Sequence, residues 1–153
     1  MTVRTRAVPR SKKRPPAASS PGETLGIKAR DFVELDRVLQ EGLRYAVLSR
    51  LEKRIDLTQQ EIGTVLRIPA RTLARRKVQR KFTPLESERL YRLAEVVESA
   101  IELFEGDVRL ARNWLRSPCK ALAGKTPLEM SETEFGAHEV RNLIGRLEHG
   151  VFT

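Results

Sequence analysis

Apolar residues recur at helical spacing along most of the chain, and no run alternates apolar with polar in the manner of a half-buried strand. Phe32, Leu35, Val38 and Leu39 share one helical face between Asp31 and Glu41, and Gly42 is a natural stop. Leu43 to Ile55 follows, with Val47, Leu48, Leu51 and Ile55 turned inward. Thr58 and Glu61 have capping-box spacing, so a helix opens there with Ile62, Val65 and Leu66 facing the core. Gly63 has no side chain and lets a neighbouring helix come close. Arg67-Ile68-Pro69 is a tight connection, and Ala70 to Lys77 is a short helix anchored by Leu73. Thr83-Pro84-Leu85-Glu86 starts a long helix: Thr83 caps it, Pro84 takes the tolerated first position and Glu86 closes the box. Its stripe of Leu90, Leu93, Ala94, Val97, Ile101 and Phe104 runs to Gly106. The same four residues return at Thr126-Pro127-Leu128-Glu129 with unrelated flanks, which makes them a reused start signal and not a repeat. A last helix, about Ala137 to His149, buries Val140, Leu143, Ile144 and Leu147. The predicted class is all-α.

Charge divides the chain. Residues 1–30 hold eight Lys or Arg and one Glu, whereas residues 31–153 hold 21 bases and 19 acids. The segment 1–26 carries Pro9, Pro15, Pro16 and Pro21 with too little apolar surface to offset its ordering entropy, so a disordered basic arm is expected there. It reads equally as a DNA-reaching arm and as a solubilising tail. No apolar run approaches the roughly 18–20 residues of a membrane span, and the basic start lacks an apolar signal core. Cys119 is the single cysteine, and His138 and His149 do not have a helical ligand spacing. A reduced, cytoplasmic protein is expected, with no metal and no cofactor. No nucleophile–base pair or phosphate loop can be assembled, which leaves catalysis without residues.

Arg67 to Lys81 contains seven bases and no acid. A solvated face is the commoner origin of such a run, and a phosphate-binding surface is the other. The stretch Leu57 to Leu73 resembles a helix-turn-helix of the Xre type, with Pro69 in the turn and Leu73 as the buried anchor. In that arrangement Arg71, Thr72, Arg75 and Arg76 stand on the second helix, where Arg suits guanine edges and Thr suits phosphate or a thymine methyl. Arg67, Arg80 and Lys81 suit backbone phosphates, as do Gln59 and Gln60 at the start of the first helix. A purely structural helical hairpin is the alternative.

The last third carries a further resemblance. Trp114, Leu115, Pro118, Leu122, Gly124, Thr126, Pro127, Leu128, Glu129, Gly136, Val140, Leu143, Gly145, Arg146 and Gly150 fall as in the toxin-binding domain of Xre/MbcA/ParS antitoxins. The resemblance covers about Phe32 to Thr153. Met130-Ser131 departs from a more usual Leu pair, and Asp56 replaces a common Gly. The resemblance implies a type II antitoxin, without catalysis, that neutralises a RES-domain toxin consuming NAD. Four segments are expected in all: arm 1–26, helix-turn-helix domain 27–82, connecting helix 83–105 and toxin-binding domain 106–153. Arg146, Glu148, His149, Gly150, Val151, Phe152 and Thr153 are the candidate inhibitory end, as a plug for the toxin's cleft. Alternatively Val151 and Phe152 pack back on the last helix. Trp114 reads as core, and Cys119 as a turn thiol. Operator DNA and autorepression are expected through the helix-turn-helix, together with a homodimer formed by the Pro84–Phe104 helix or the C-terminal domain. A stand-alone transcription factor with a C-terminal dimerisation domain is the competing reading.

Overall fold

Four helices begin with one device. Ser20, Thr58, Thr83 and Thr126 each accept a hydrogen bond from the N–H three residues on, and Glu23, Glu61, Glu86 and Glu129 each accept one from the N–H of the cap. Each box satisfies two donors of the kind that a first helical turn leaves open. Pro21, Pro84 and Pro127 follow the cap in three of them.

A computed structural model describes residues 20–150. The order is α1 (Pro21–Leu25), α2 (Phe32–Glu41), α3 (Ala46–Ile55), α4 (Gln59–Val65), α5 (Ala70–Gln79), α6 (Pro84–Leu103), α7 (Val108–Leu115), a 3-10 turn (Lys120–Leu122), α8 (Pro127–Met130) and α9 (Glu134–Glu148). Among the described residues extended pairing is limited to one bridge, Arg44 with Lys81, and the class is all-α. No described helix is long and apolar enough to cross a membrane.

Helix α6 is the axis. α1, α2, α3, α7 and α9 all pack against it, and Leu90, Ala94, Val96, Val97 and Ala100 are fully buried along it. It is therefore less a connector between two bodies than the shared core of both. Its apolar stripe is covered within one chain; Pro84, Leu85, Glu88 and Glu102 are the residues it leaves exposed.

Two glycines set close approaches between successive helices. A Cβ on Gly63 would meet the Leu73 side chain at 2.9 Å, so α5 crosses α4 where the sequence suggested. A Cβ on Gly136 would stand 1.8 Å from the Met130 carbonyl oxygen, which fixes how α9 leaves α8. Ser131 is buried and donates to the Pro127 carbonyl at 2.7 Å, so the departure from a Leu pair is accommodated locally.

Three expectations need correction. The arm does not run to residue 26. Ser20 to Gly26 form a capped helix, because Leu25 is 1% exposed and Thr24 donates to the buried Glu98 carboxylate. Burying that leucine contributes about 2 kcal/mol, enough to offset the ordering of a short turn that is already capped. Residues 1–19 lie outside the described residues. Phe32 does not face the core: at the first position of α2 it is 79% exposed, with Val33 beside it at 74%. α9 begins at Glu134, three residues early, because Thr133 accepts a hydrogen bond from the Gly136 N–H and caps it.

Candidate nucleic-acid interface and C-terminal partner surface

The helix-turn-helix is held from behind. Leu73 is buried under α5, and Arg89 of α6 donates to the Leu66 carbonyl at the end of α4. Arg76 turns inward from α5. Its Nε lies 2.8 and 3.0 Å from the Glu86 oxygens, and its side chain is 13% exposed. This corrects the placing of Arg76 among the exposed DNA-facing groups. It pins α5 to the first turn of α6, where Glu86 already serves as the capping acid. Burial raises the Glu86 pKa, but the Arg76 guanidinium and the Thr83 N–H outweigh it and hold the carboxyl below its usual range.

Between α4 and α5 runs a groove of about 910 Å³. Gln59, Gln60 and Arg67 of the expected set line it, together with Tyr45 and Lys77. Gln59 donates to the Tyr45 hydroxyl at 2.7 Å, which orients the amide. Arg71 and Arg75 are exposed one turn apart on α5, outside the groove lining, and Thr72 is half-buried. Arg80 has a left-handed backbone, φ 61°, and ends α5; Arg80 and Lys81 are exposed beyond it. Among the α-helices, α3 and α5 have no side-chain N-cap. The open N–H groups and the positive end of α5 suit an anion. Tyr45 and Lys77 were not singled out from sequence as site residues. Lys77 lies in the basic run, whereas Tyr45 carries no local signal.

The C-terminal half is joined to this unit by arginines. Arg116, just past α7, grips Glu61 with two parallel hydrogen bonds, Nε and Nη2 each at 2.8 Å. Arg112 of α7 donates to Asp56 at 2.5 Å, and Arg67 approaches Glu132 at 3.8 Å. Asp56 is the left-handed cap of α3, φ 55°, a conformation that Asp tolerates where Gly is more usual. The Arg116 guanidinium holds the Glu61 carboxyl below its usual range.

Arg146, Glu148, His149 and Gly150 are exposed together at the end of α9, and Gly150 has the left-handed φ of 67°. Val151, Phe152 and Thr153 lie outside the described residues, so neither the plug nor its alternative has a structural description. Trp114 is half-buried and packs on Phe104, ring centroids 6.3 Å apart, as the core reading expects. Phe135, at 71% exposed on the first turn of α9, is an apolar group that sequence reasoning missed.

Fold and surfaces define a helix-turn-helix protein with a second helical unit docked on the same axial helix. Residues 34–95 match the family described as Antitoxin Xre-like helix-turn-helix domain. Residues 99–150 match Antitoxin Xre/MbcA/ParS C-terminal toxin-binding domain. The chain is 38% identical to Antitoxin Xre of Yersinia enterocolitica over 130 residues, 84% of this chain and 88% of the relative. It is 35% identical to Antitoxin Xre of Photorhabdus laumondii over 129 residues, 84% and 87% of the two chains. With Antitoxin Xre of Pseudomonas putida the identity is 32% over 123 residues, 80% and 75%. The chain belongs to the Xre antitoxin family, and its pairing of a helix-turn-helix with a toxin-binding domain supports a type II antitoxin.

Proposed function

We propose that this chain captures and neutralises a RES-domain toxin that consumes NAD, and represses its own operon in the cytoplasm as a homodimer. The observation that carries the reading is the match of residues 99–150 to a toxin-binding domain whose last helix leaves Arg146, Glu148, His149 and Gly150 exposed. With Val151, Phe152 and Thr153 these residues form the inhibitory end: the apolar pair fills a cleft in the toxin and the charged groups meet its polar rim. No catalysis is assigned to this chain.

Operator DNA is read by Arg71 and Arg75, with Thr72 beside them, while Gln59, Gln60, Arg67, Arg80 and Lys81 hold phosphates. Arg76 keeps a place in DNA binding only through the position it gives α5. Capture of the tagged chain from its own cells, with mass spectrometry of what accompanies it, tests the reading. The expected result is a small protein encoded next to this gene, toxic alone and harmless with this chain. Recovery of DNA alone would favour a stand-alone transcription factor. Deletion of Gly150–Thr153 should leave folding and DNA binding intact and weaken neutralisation; full protection by the shortened chain would remove the plug.

A further inference from the structure

The loop before α3 and the loop after α5 meet in a two-residue ribbon. Phe82 N–H donates to the Leu43 carbonyl at 2.8 Å, and Tyr45 N–H donates to the Arg80 carbonyl at 3.0 Å. These bonds flank an antiparallel bridge between Arg44 and Lys81. The two therefore form a non-hydrogen-bonded pair, the type in which Cα atoms stand closest, about 4.5 Å apart, and side chains share a face. Like charges placed directly opposite destabilise a ribbon. Both residues are exposed, and neither has an ion-pair partner among the described residues.

The ribbon cannot relieve the repulsion by opening. Leu43 and Phe82 are buried, Leu43 N–H donates to the buried Ser87 hydroxyl at 2.8 Å, and Tyr45 stacks on Phe82 with centroids 5.4 Å apart. Gly42 lies beneath: a Cβ there would stand 2.3 Å from the Phe82 carbonyl oxygen and 3.2 Å from Lys81 Cε, so the lysine stem crosses the glycine. Two exposed cations are thus rooted directly opposite each other on a rigid backbone frame, and neither has an ion-pair partner among the described residues. An anion between them turns the repulsion into two attractions, and a guanidinium beside an ammonium suits phosphate oxygens.

We infer that Arg44 and Lys81 form a phosphate clamp that grips the DNA backbone beside the recognition helix. Position supports duplex DNA as the source of that phosphate. The ribbon follows directly on α5, and Tyr45, next to Arg44, lines the same groove as Gln59, Arg67 and Lys77. The clamp rests on the proposed DNA-binding reading and adds Arg44, which lies 13 residues before the helix-turn-helix stretch that opens at Leu57.

The test uses the full chain with two duplexes, the region upstream of its own gene and an unrelated sequence of equal length. Affinity is measured against salt concentration for the wild type, Arg44→Gln, Lys81→Gln and the double variant. Each single substitution should weaken binding to both duplexes equally and flatten the log–log salt slope by about 1, and the double by about 2. Arg44→Lys should keep the slope. Without DNA, either Gln variant should raise Tm by about 1–2 °C, because a like-charge contact is removed and the fold is not damaged. An unchanged slope in the double variant overturns the clamp, and if Arg71→Ala/Arg75→Ala still loses operator preference, the helix-turn-helix reading stands without it. A wild type that binds neither duplex overturns both. If inorganic phosphate alone raises Tm and the salt slope ignores both residues, the pair serves free phosphate and the duplex assignment is wrong.

Discussion

The basic run from Arg71 to Lys81 and the three C-terminal arginines that face the rest of the fold use charge in opposite ways. From Arg71 to Lys81, Arg76 alone has a carboxylate partner among the described residues, and Arg71, Arg75, Lys77, Arg80 and Lys81 are exposed without one. In the C-terminal half Arg112, Arg116 and Arg141 each face an acid: Asp56, Glu61 and Glu95. The acids they meet lie on the other half or on the axial helix. Paired arginines join the two units and hold the fold, whereas the unpaired cations of the run are the ones that the proposed operator binding would use. Arg76 and Arg71 are five residues apart on one helix and fall on opposite sides of this division.

Substituting unpaired cations should cost binding and spare stability. Arg71→Ala/Arg75→Ala removes two candidate base contacts, each worth about 1–3 kcal/mol, so operator affinity should fall by roughly a hundredfold or more at fixed salt. Toxin capture by the same variant should be unchanged, and unchanged operator affinity would end the assignment of α5 as the reading helix.

Substituting paired arginines should do the reverse. Arg54 donates to both oxygens of the buried Glu98 at 2.7 and 3.0 Å, and Glu98 also accepts from Thr24. Arg54→Ala strands that carboxylate and should lower unfolding stability by about 3 kcal/mol in a denaturant titration. A loss near zero would show that α1 and α3 are not held to α6 through this group.

The link between the halves is weaker because it is wetter. The Arg116 and Glu61 side chains are 38% and 33% exposed, so Arg116→Ala should cost only about 1 kcal/mol despite its two parallel bonds. The corresponding pH effect is smaller again. The Glu61 pKa lies below its ordinary value of 4.5, chiefly through Arg116. Its contribution is therefore present above pH 4.5 and is lost as pH falls through the lower folded value. Glu61→Gln should flatten the acid limb of the stability curve below that pH, and a limb as steep as the wild type's would assign acid sensitivity to another carboxylate.

Periodicity and caps made most of the helical skeleton legible, since Thr58, Thr83 and the buried stripe of α6 stand where the spacing placed them. The same rule, applied to Ser20-Pro21-Gly22-Glu23, predicts α1 as well: it is a third Ser/Thr-Pro-x-Glu start beside the two Thr-Pro-Leu-Glu starts. It was hidden by proline-rich, basic surroundings that suggest disorder, and by having one buried anchor, Leu25, in place of a stripe. The candidate DNA surface was half legible. A run of bases marks α5, but no local pattern shows that Arg76 turns to Glu86, ten residues on, or that Arg44 is paired across to Lys81. Both depend on contacts made only once α5 and α6 are packed. The Arg116–Glu61 link, 55 residues apart, is invisible for the same reason.

The most direct test of the proposed antitoxin account is cellular NAD, measured after the small toxin gene proposed to neighbour this one is induced with and without this chain. NAD should collapse when the neighbour is induced alone, stay at the uninduced level when the full chain is present, and fall again when Gly150–Thr153 are deleted. Equal loss of NAD with and without the full chain would contradict the account.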